Sequence, residues 1–207
     1  MSAGPDPQAD AGAMLAALLG PPHGVAELAA AWIDTPLGGM IAVADRERLH
    51  LLEFQEREAL PAELRRLAAK GGIVSGRTAV TDRTEAQVAG YFAGERSAFD
   101  LPLALHGTDF QRQVWQELQR IPPGTTIRYA ELARRIGRPS AIRAVARANG
   151  ANQIAVVIPC HRVIGADGGL TGYGGGLWRK QALIRHEAAR VAAVDCGGRA
   201  ENRGKKA

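Results

Sequence analysis

Short apolar runs separated by turn-forming residues dominate the first half of the chain. They occupy residues 30–34, Met40–Ala44 and Leu49–Phe54, and their length predicts three β-strands. Because consecutive strands joined by short turns usually pair with each other, we expect a small antiparallel sheet. Apolar positions then recur every three or four residues over residues 60–70 and 84–93, which predicts two helices. The first half is therefore predicted to be an α/β domain.

Helical periodicity dominates the second half. Thr108 and Gln111 have the spacing of a capping box and predict the start of a helix. Two further helices are expected over residues 128–136 and 141–149, the second of them capped by Ser140. Two helices joined by a tight turn that contains a glycine are typical of a helix-turn-helix. The second half is therefore predicted to be a mostly α domain.

One apolar stretch, at residues 154–158, predicts a buried strand that leads into Pro159-Cys160-His161-Arg162. A glycine-dense loop follows, and a last helix is expected over residues 177–190. Together these features predict four segments: a flexible extension (1–26), the α/β domain (27–100), the second domain (101–190) and a flexible tail (191–207).

The composition narrows the class of protein. The 207 residues, 46% of them hydrophobic, can form one or two globular domains. Two cysteines, Cys160 and Cys196, are too few for a disulfide framework and stand apart from any histidine cluster, so we expect neither disulfides nor a metal. Asp6 and Asp10 precede the apolar residues 11–20, whereas a secretory signal begins with positive charge. We therefore expect a cytoplasmic protein.

Positive charge is concentrated in the predicted helix-turn-helix. The chain carries a net charge of +5. Only Glu117 and Glu131 oppose the eight arginines that lie between Gln111 and Arg147. These are Arg112, Arg120, Arg128, Arg134, Arg135, Arg138, Arg143 and Arg147. Arginines in such a cluster neutralise phosphates, and this indicates a nucleic-acid partner.

The third predicted helix of this half carries Arg143 and Arg147 one turn apart, with Ala141, Ala144 and Ala148 beside them. Small side chains would let the helix backbone approach a groove of DNA while an arginine projects into the base stack. An alanine-rich, solvated helix with ordinary surface arginines is the alternative. The charge pattern alone leaves both interpretations open.

Cys160 is the candidate nucleophile. A thiolate attacks far better than a thiol, and a neighbouring histidine base or positive charge helps to form it. Glu187 shares the apolar face of the last helix, where a carboxylate needs a hydrogen-bonding partner. His161 as that partner would give a Cys–His–Glu triad. Pairing of Glu187 with Arg185 or Arg190 at the helix edge is the alternative.

Two further residues have an ordinary and a functional interpretation. Tyr129 begins the second helix of this half, where it would either pack in the core or donate a hydrogen bond. Asn152 lies just before the predicted strand, in a position where asparagine commonly serves in a turn. Cys196 lies in the glycine-rich tail and is expected to have no role.

Pro159-Cys160-His161-Arg162-Val163 resembles the active-site signature of the O6-alkylguanine-DNA alkyltransferases, the methylated-DNA–protein-cysteine methyltransferases. Further segments resemble the family in the same order along the chain. They are Gly107-Thr108-x-Phe110-Gln111-x-x-Val114-Trp115, Ile121-Pro122-x-Gly124-x-Thr126, Ala141-x-Arg143-Ala144-Val145, Asn152 and Gly172-Tyr173. The resemblance is dense over residues 107–188 and extends more weakly to Thr35-Pro36-Leu37-Gly38 and Tyr91-Phe92-x-Gly94.

The resemblance implies a role for each candidate. Cys160 would accept the alkyl group, after deprotonation by His161, a bridging water and Glu187, while Asn152 would brace the turn around it. Tyr129 would donate a hydrogen bond toward the base. Arg143 would fill the gap that the extruded nucleotide leaves in the duplex. The other residues that would contact DNA are Ala141, Ala144, Arg147 and Arg128. The guanine would be surrounded by Tyr173, Val163 and Gly174. The first half would be a ribonuclease-H-like domain without chemistry of its own.

The implied reaction is a single displacement without a cofactor or metal. Duplex DNA that carries O6-alkylguanine is the expected partner, bound through its minor groove by a monomer, and O4-alkylthymine is a further candidate substrate. The damaged nucleotide must leave the stack before a buried thiol can reach it. Gly174, where some relatives carry a side chain, would widen the pocket for larger alkyl groups.

Three other classes of protein compete with this interpretation. Alkyltransferase-like proteins recognise alkylguanine without repairing it, but they lack the acceptor cysteine. A Cys-His-Glu hydrolase would explain the triad and leave the arginine-rich helices unused. A transcription factor would need a dimerisation or sensor segment, and the sequence contains no recognisable one.

Overall fold

The computed structural model describes residues 15–17, 19 and 27–201, with side chains as far as residue 193. Residues 1–14 of the predicted extension and 202–207 of the predicted tail lie outside them. The chain divides into two compact units. The first contains the described residues up to Gly90, with Phe99–His106 and Gln153–Ala155, and the second contains Tyr91–Ala98, Gly107–Asn152 and the described residues from Val156 onward.

A four-stranded mixed sheet forms the first unit. Strands β1 (Leu28–Ile33), β2 (Met40–Ala44) and β3 (Leu49–Phe54) pair antiparallel as predicted. The expectation of a purely antiparallel sheet is wrong, because β4 (Ile73–Ser75) pairs parallel to β1 and completes the order β3-β2-β1-β4. β4 has three residues between glycines, which is too short to show an alternating pattern.

One face of this sheet is covered by helix α1 (Leu60–Gly71). Leu60, Leu64 and Leu67 lie at successive turns of α1 and are buried in one cluster with side chains of β1, β2 and β3. Leu15, a described residue of the predicted extension, is buried in the same cluster. Part of that extension therefore belongs to the core of the first unit.

Helix α2 (Ala79–Phe92) begins five residues before the predicted start. Thr78 and Thr81 form reciprocal hydrogen bonds between side-chain oxygen and backbone N–H at 2.8 and 3.2 Å. These bonds satisfy amides that would otherwise be unpaired at the helix start. After α2, Leu103 forms an isolated parallel β-bridge with Leu49.

Helices α3 (Asp109–Leu118), α4 (Tyr129–Arg135) and α5 (Ile142–Gly150) pack together in the second unit. The capping box at the start of α3 is confirmed, with Thr108 and Gln111 bonded in both directions. The predicted cap of α5 is wrong. Its N-cap residue is Ala141 rather than Ser140, and no side chain caps it.

The strand predicted at residues 154–158 is also wrong. Only Ile154 forms an isolated bridge, to Leu52, and a turn follows. Val156 has a φ of 69°, in the left-handed region that β-branched residues disfavour, and this conformation ends the extended chain. The whole segment is nevertheless buried, so its apolar composition reflects burial rather than strand structure.

Two short strands and a long helix complete the second unit. β5 (Ile127–Arg128) pairs parallel to β6 (Val163–Ile164), and helix α6 (Leu177–Glu201) extends eleven residues beyond its predicted end at residue 190. Within the described residues, no helix is long and apolar enough to span a membrane.

Candidate active site

Cys160 occupies a tight bend of the backbone. Cys160 begins a single turn of 3-10 helix (Cys160–Arg162), and only 7% of its surface is exposed. Pro159 has φ and ψ of −82° and 60°, and the Cys160 N–H donates to the carbonyl oxygen of Ile158 at 2.8 Å. This geometry is an inverse γ-turn, for which the fixed φ of proline is well suited.

Two asparagines fix the bend. The Asn152 side-chain amide nitrogen donates to the Cys160 Sγ at 3.1 Å and to the Ile158 carbonyl oxygen at 2.9 Å. Asn149, which the sequence analysis did not single out, donates to the Cys160 carbonyl oxygen at 3.4 Å. An N–H directed at sulfur favours the anionic thiolate over the thiol.

His161 and Glu187 are brought together as predicted. His161 Nε2 lies 3.0 Å from Glu187 Oε1, and both side chains are buried. Burial alone would raise the pKa of Glu187, but hydrogen bonds from His161 and Arg162, and their charges, outweigh burial and hold that pKa well below its usual range. An ionised carboxylate accepts hydrogen bonds only, so Nε2 carries the proton and Nδ1 of His161 keeps a lone pair.

The charge state of His161 follows from its surroundings. Burial lowers the pKa of His161, and the charges of Arg162 and Lys180 lower it further, against the opposing effect of Glu187. The imidazole is therefore neutral near pH 7. Its Nδ1 has no hydrogen-bond partner among the described residues. A neutral imidazole with an available lone pair can accept a proton.

Arg162 is the residue whose role the sequence analysis missed. Its Nε donates to Glu187 Oε2 at 2.9 Å and its Nη2 to Glu187 Oε1 at 2.8 Å, which is the bidentate arrangement. The alternative pairing of Glu187 with Arg185 or Arg190 is therefore wrong. The only available signal was that Arg162 directly follows His161.

Two more donors reach the same carboxylate. The hydroxyl of Tyr91, at the end of α2, donates to Glu187 Oε1 at 2.9 Å, and the backbone N–H of Gly124 donates to Oε2 at 3.0 Å. Burial and the charge of Glu187 raise the pKa of Tyr91, so this hydroxyl keeps its proton. Gly124 has a φ of 73°, and a Cβ there would lie 2.7 Å from Val191, so a larger residue would disturb this contact.

Lys180 is a second residue that the sequence analysis missed. Its buried ammonium donates to the carbonyl oxygens of Val163 and Thr171, both at 2.6 Å, and so ties β6 to the glycine-dense loop. Burial lowers the pKa of Lys180 to about 8, and a thiolate at Cys160 would oppose that shift. The ammonium therefore interacts electrostatically with the candidate nucleophile.

Tyr129, at the start of α4, lies close to the same loop. The side chains of Thr171 and Asn149 lower the pKa of Tyr129, and a thiolate at Cys160 would raise it. Burial raises the pKa of Tyr129, so the phenol is a donor at neutral pH. A Cβ on Gly172 would lie 3.7 Å from this hydroxyl. In the same region Val163 is buried, Tyr173 is partly buried and Gly174 is exposed.

Acidic neighbours divide the eight arginines into two sets. Glu117, Glu131 and Asp109 form ion pairs with four of them: Arg112, Arg120, Arg134 and Arg135. The other four have no ion-pair partner within the described part of the chain, and all are exposed: Arg128, Arg138, Arg143 and Arg147. On α5, Ala141 and Ala144 are partly exposed, but Ala148 is buried and accepts a hydrogen bond from Trp115, so it does not lie on the surface with the arginines.

Comparison with known proteins identifies relatives. The family model described as 6-O-methylguanine DNA methyltransferase, DNA binding domain, matches residues 109–189. A methylated-DNA–protein-cysteine methyltransferase of Mycobacterium bovis is 45% identical over 161 residues, which cover 78% of this chain and 93% of that protein. A protein of the same name from Salmonella typhimurium is 44% identical over 162 residues, covering 75% and 92% of the two chains.

Solved structures agree with these relatives. The crystal structure of Mycobacterium tuberculosis O6-methylguanine methyltransferase superposes with a TM-score of 0.69 at 42% identity, covering 79% of this chain and 94% of that one. A second M. tuberculosis structure, determined in complex with DNA, gives a TM-score of 0.68 at the same identity, covering 79% and 93%. The chain therefore belongs to the methylated-DNA–protein-cysteine methyltransferase family.

Proposed function

We propose that this protein repairs DNA by transferring an alkyl group from O6 of guanine to Sγ of its own Cys160, once per molecule. The proposal rests on the surroundings of the Cys160 sulfur. An amide N–H points at it, and the next residue is a neutral histidine held by an ionised carboxylate. This arrangement supports thiolate formation at neutral pH.

In the proposed step, the thiol proton of Cys160 passes to Nδ1 of His161, through a bridging water. Glu187 and Arg162 keep the imidazole in the tautomer that can accept this proton. The thiolate then attacks the alkyl carbon on the side opposite O6. An S–C bond forms, the C–O6 bond breaks, and the departing guanine takes up the proton. Tyr129 donates a hydrogen bond to the base as its negative charge develops.

The product is a thioether, and such a bond is not hydrolysed under mild conditions. Each molecule would therefore act once, with no cofactor or metal. Val163, Tyr173 and the exposed Gly174 would surround the guanine, and the lack of a side chain at Gly174 supports access by alkyl groups larger than methyl.

DNA would be bound by α4 and α5 as a helix-turn-helix placed in the minor groove. The exposed, unpaired Arg128, Arg143 and Arg147 and the small Ala141 and Ala144 support this assignment. A thiol that is buried cannot reach a stacked base, so the nucleotide would be flipped out, with Arg143 in the gap. The first unit would be a ribonuclease-H-like domain and would take no part in the chemistry. The protein would act as a monomer in the cytoplasm. O4-alkylthymine would be a second substrate.

Intact-protein mass after incubation with a duplex that contains O6-methylguanine tests the proposal. Cys160→Ala removes the acceptor, and Cys196→Ala is the matched control, since it removes the other cysteine. We expect the parent and Cys196→Ala to gain about 14 Da, saturating at one group per protein, and Cys160→Ala to gain nothing.

Two outcomes would contradict the proposal. Release of methyl product with repeated turnover would indicate a hydrolase. Retention of the bound duplex with no gain of mass would indicate a protein that recognises damage without repairing it.

A further inference from the structure

Trp178 is the most exposed of the large hydrophobic side chains in the described part of the chain, with 56% of its surface accessible. It lies in the first turn of α6, next to Leu177, which is also exposed. An exposed indole presents a large apolar face to water, and such faces are concentrated at binding surfaces. Neither the proposed chemistry nor the core of the second unit uses this side chain.

The indole packs against the side chain of its neighbour Arg179. The guanidinium carbon of Arg179 lies 4.4 Å from the centroid of the Trp178 ring, a cation–π contact. Arg179 itself is only 5% exposed and donates from Nη1 to the Gly175 carbonyl oxygen at 2.9 Å. Because the guanidinium is held by the loop, its contact with the ring restricts the orientations that the indole can adopt. A rigid aromatic side chain loses little conformational freedom when it binds.

The position of the ring connects it to the candidate active site. A Cβ on Gly176 would lie 3.4 Å from the indole, so Trp178 packs at the end of the glycine-dense loop. The other part of that loop contacts the Tyr129 hydroxyl through Thr171. Lys180, two residues after Trp178, holds Thr171 and senses the charge of Cys160. One loop-to-helix junction therefore carries both the exposed indole and contacts to the reacting centre.

We propose that Trp178 stacks against the DNA strand that carries the damaged guanine, on the base or sugar adjacent to the extruded nucleotide. The proposal rests on the proposed function and adds a binding residue to it. Flat indole faces bind nucleobases without regard to sequence, as a repair protein requires. The unpaired arginines of the same unit favour a polyanion over a protein or lipid occupant.

The test compares a duplex substrate with a free base, which has no neighbouring nucleotides. Trp178→Ala, Trp178→Phe and Val74→Ala are prepared, the last as a control because Val74 is an exposed apolar residue of the first unit. Affinity for a duplex containing O6-methylguanine is measured with each change placed in a Cys160→Ala background, so that binding is compared without alkyl transfer. Rates of Cys160 alkylation are then measured with a duplex containing O6-methylguanine and with free O6-benzylguanine, a base without sugar or neighbouring nucleotides.

We expect Trp178→Ala to weaken duplex binding and slow alkylation from the duplex by about tenfold, the usual effect of removing one stacked aromatic residue. Alkylation by the free base should be unchanged. Trp178→Phe should keep most of the affinity, and Val74→Ala should behave as the parent. Duplex binding should also protect the accessible tryptophan fluorescence of the parent from quenching by acrylamide.

Equal slowing of both reactions by Trp178→Ala would overturn the proposal, because it would mean that the indole supports the loop rather than the DNA. Equal duplex affinity of the parent and Trp178→Ala would overturn it as well. Failure of the parent to become alkylated from the duplex would contradict the proposed function instead. The two failures are therefore separate, since the affinity comparison needs no alkyl transfer.

Discussion

Glu187 carries a buried negative charge that four residues from three places in the sequence stabilise. Tyr91, His161 and Arg162 donate to Oε1, while Gly124 and Arg162 donate to Oε2. An isolated buried carboxylate would take up a proton. Here the donors keep it ionised, and its ionisation determines which nitrogen of His161 carries the proton.

Replacing the carboxylate should therefore be costly. In Glu187→Gln, the Arg162 guanidinium stays buried without a counter-charge. We expect the free energy of unfolding to fall by about 3–5 kcal/mol and alkyl transfer to become slower. Urea unfolding and single-turnover alkylation measure the two effects. The double variant Glu187→Gln, Arg162→Met removes both charges and should recover part of the stability. If Glu187→Gln were as stable as the parent, the ion pair between Glu187 and Arg162 would not stabilise the fold as described.

His161 should make stability depend on pH. Because burial lowers its pKa below the ordinary 6.5, the unfolded chain takes up a proton that the folded chain refuses. The contribution of His161 is complete above pH 6.5 and is lost as the pH falls below that value. Glu187 contributes in the same direction, but only below its ordinary pKa of 4.5.

Urea unfolding of the parent and of His161→Gln at about pH 7.5 and pH 5.5 measures this contribution, since other histidines cancel in the difference. We expect the parent to lose more stability than the variant over this interval. An equal loss in both proteins would show that His161 titrates with its ordinary pKa.

At the scale of elements, helices and strands marked by a repeating sequence pattern could be predicted. Structure that depends on the conformation of a single residue could not. β2, β3 and the capping box of α3 match their predicted positions, because several residues contribute to each signal. β4 is too short to carry a period. The apolar residues 154–158 contain the left-handed Val156, and nothing in their composition distinguishes a buried turn from a buried strand.

The candidate site was predictable only in part for a related reason. Cys160, His161 and Glu187 could be found from a local signature and from helical spacing. Arg162 and Lys180 could not, because a charged residue gives no sign of burial until tertiary structure surrounds it. Tyr91 lies in α2, far along the chain from the residues that it contacts.

Gly107 precedes α3 at a point of close approach. A Cβ there would lie 2.6 Å from the buried ring of Trp115. We expect Gly107→Ala to lower the free energy of unfolding by about 1–3 kcal/mol, because the ring or the backbone must move. Gly150→Ala in α5 is the matched control, since a Cβ there meets nothing within 4 Å.

Gly150→Ala should leave the free energy of unfolding unchanged or raise it by up to about 1 kcal/mol, because alanine favours the helical conformation over glycine. Thermal or urea unfolding compares the two variants. If both changes had the same effect, the packing of Gly107 against Trp115 would not explain its presence.

At the scale of the whole molecule, the arrangement of charge matters more than its total. The net charge of +5 is modest. Acidic residues form ion pairs with four of the eight clustered arginines. The other four, which include both exposed arginines of α5, have no ion-pair partner among the residues that the structure describes. The ion pairs therefore restrict the surface at which phosphates are attracted.

This division predicts unequal effects of two similar substitutions. Arg147→Ala removes an unpaired arginine, and Arg134→Ala removes one that is paired with Glu131. We expect Arg147→Ala to weaken duplex binding and to reduce the slope of log affinity against log salt by about 0.9, the value for one lost phosphate contact. Arg134→Ala should change the slope little. Identical slopes for the two variants would contradict the division.

The hydrogen bond from the Gly124 backbone to Glu187 has a further consequence. This amide hydrogen can exchange with deuterated water only when the carboxylate releases it, and the same carboxylate holds His161, Arg162 and Tyr91. Its exchange rate therefore reports how often the network around the nucleophile opens. Hydrogen exchange at one backbone position thus measures how often a cluster of side chains opens, in the absence of substrate.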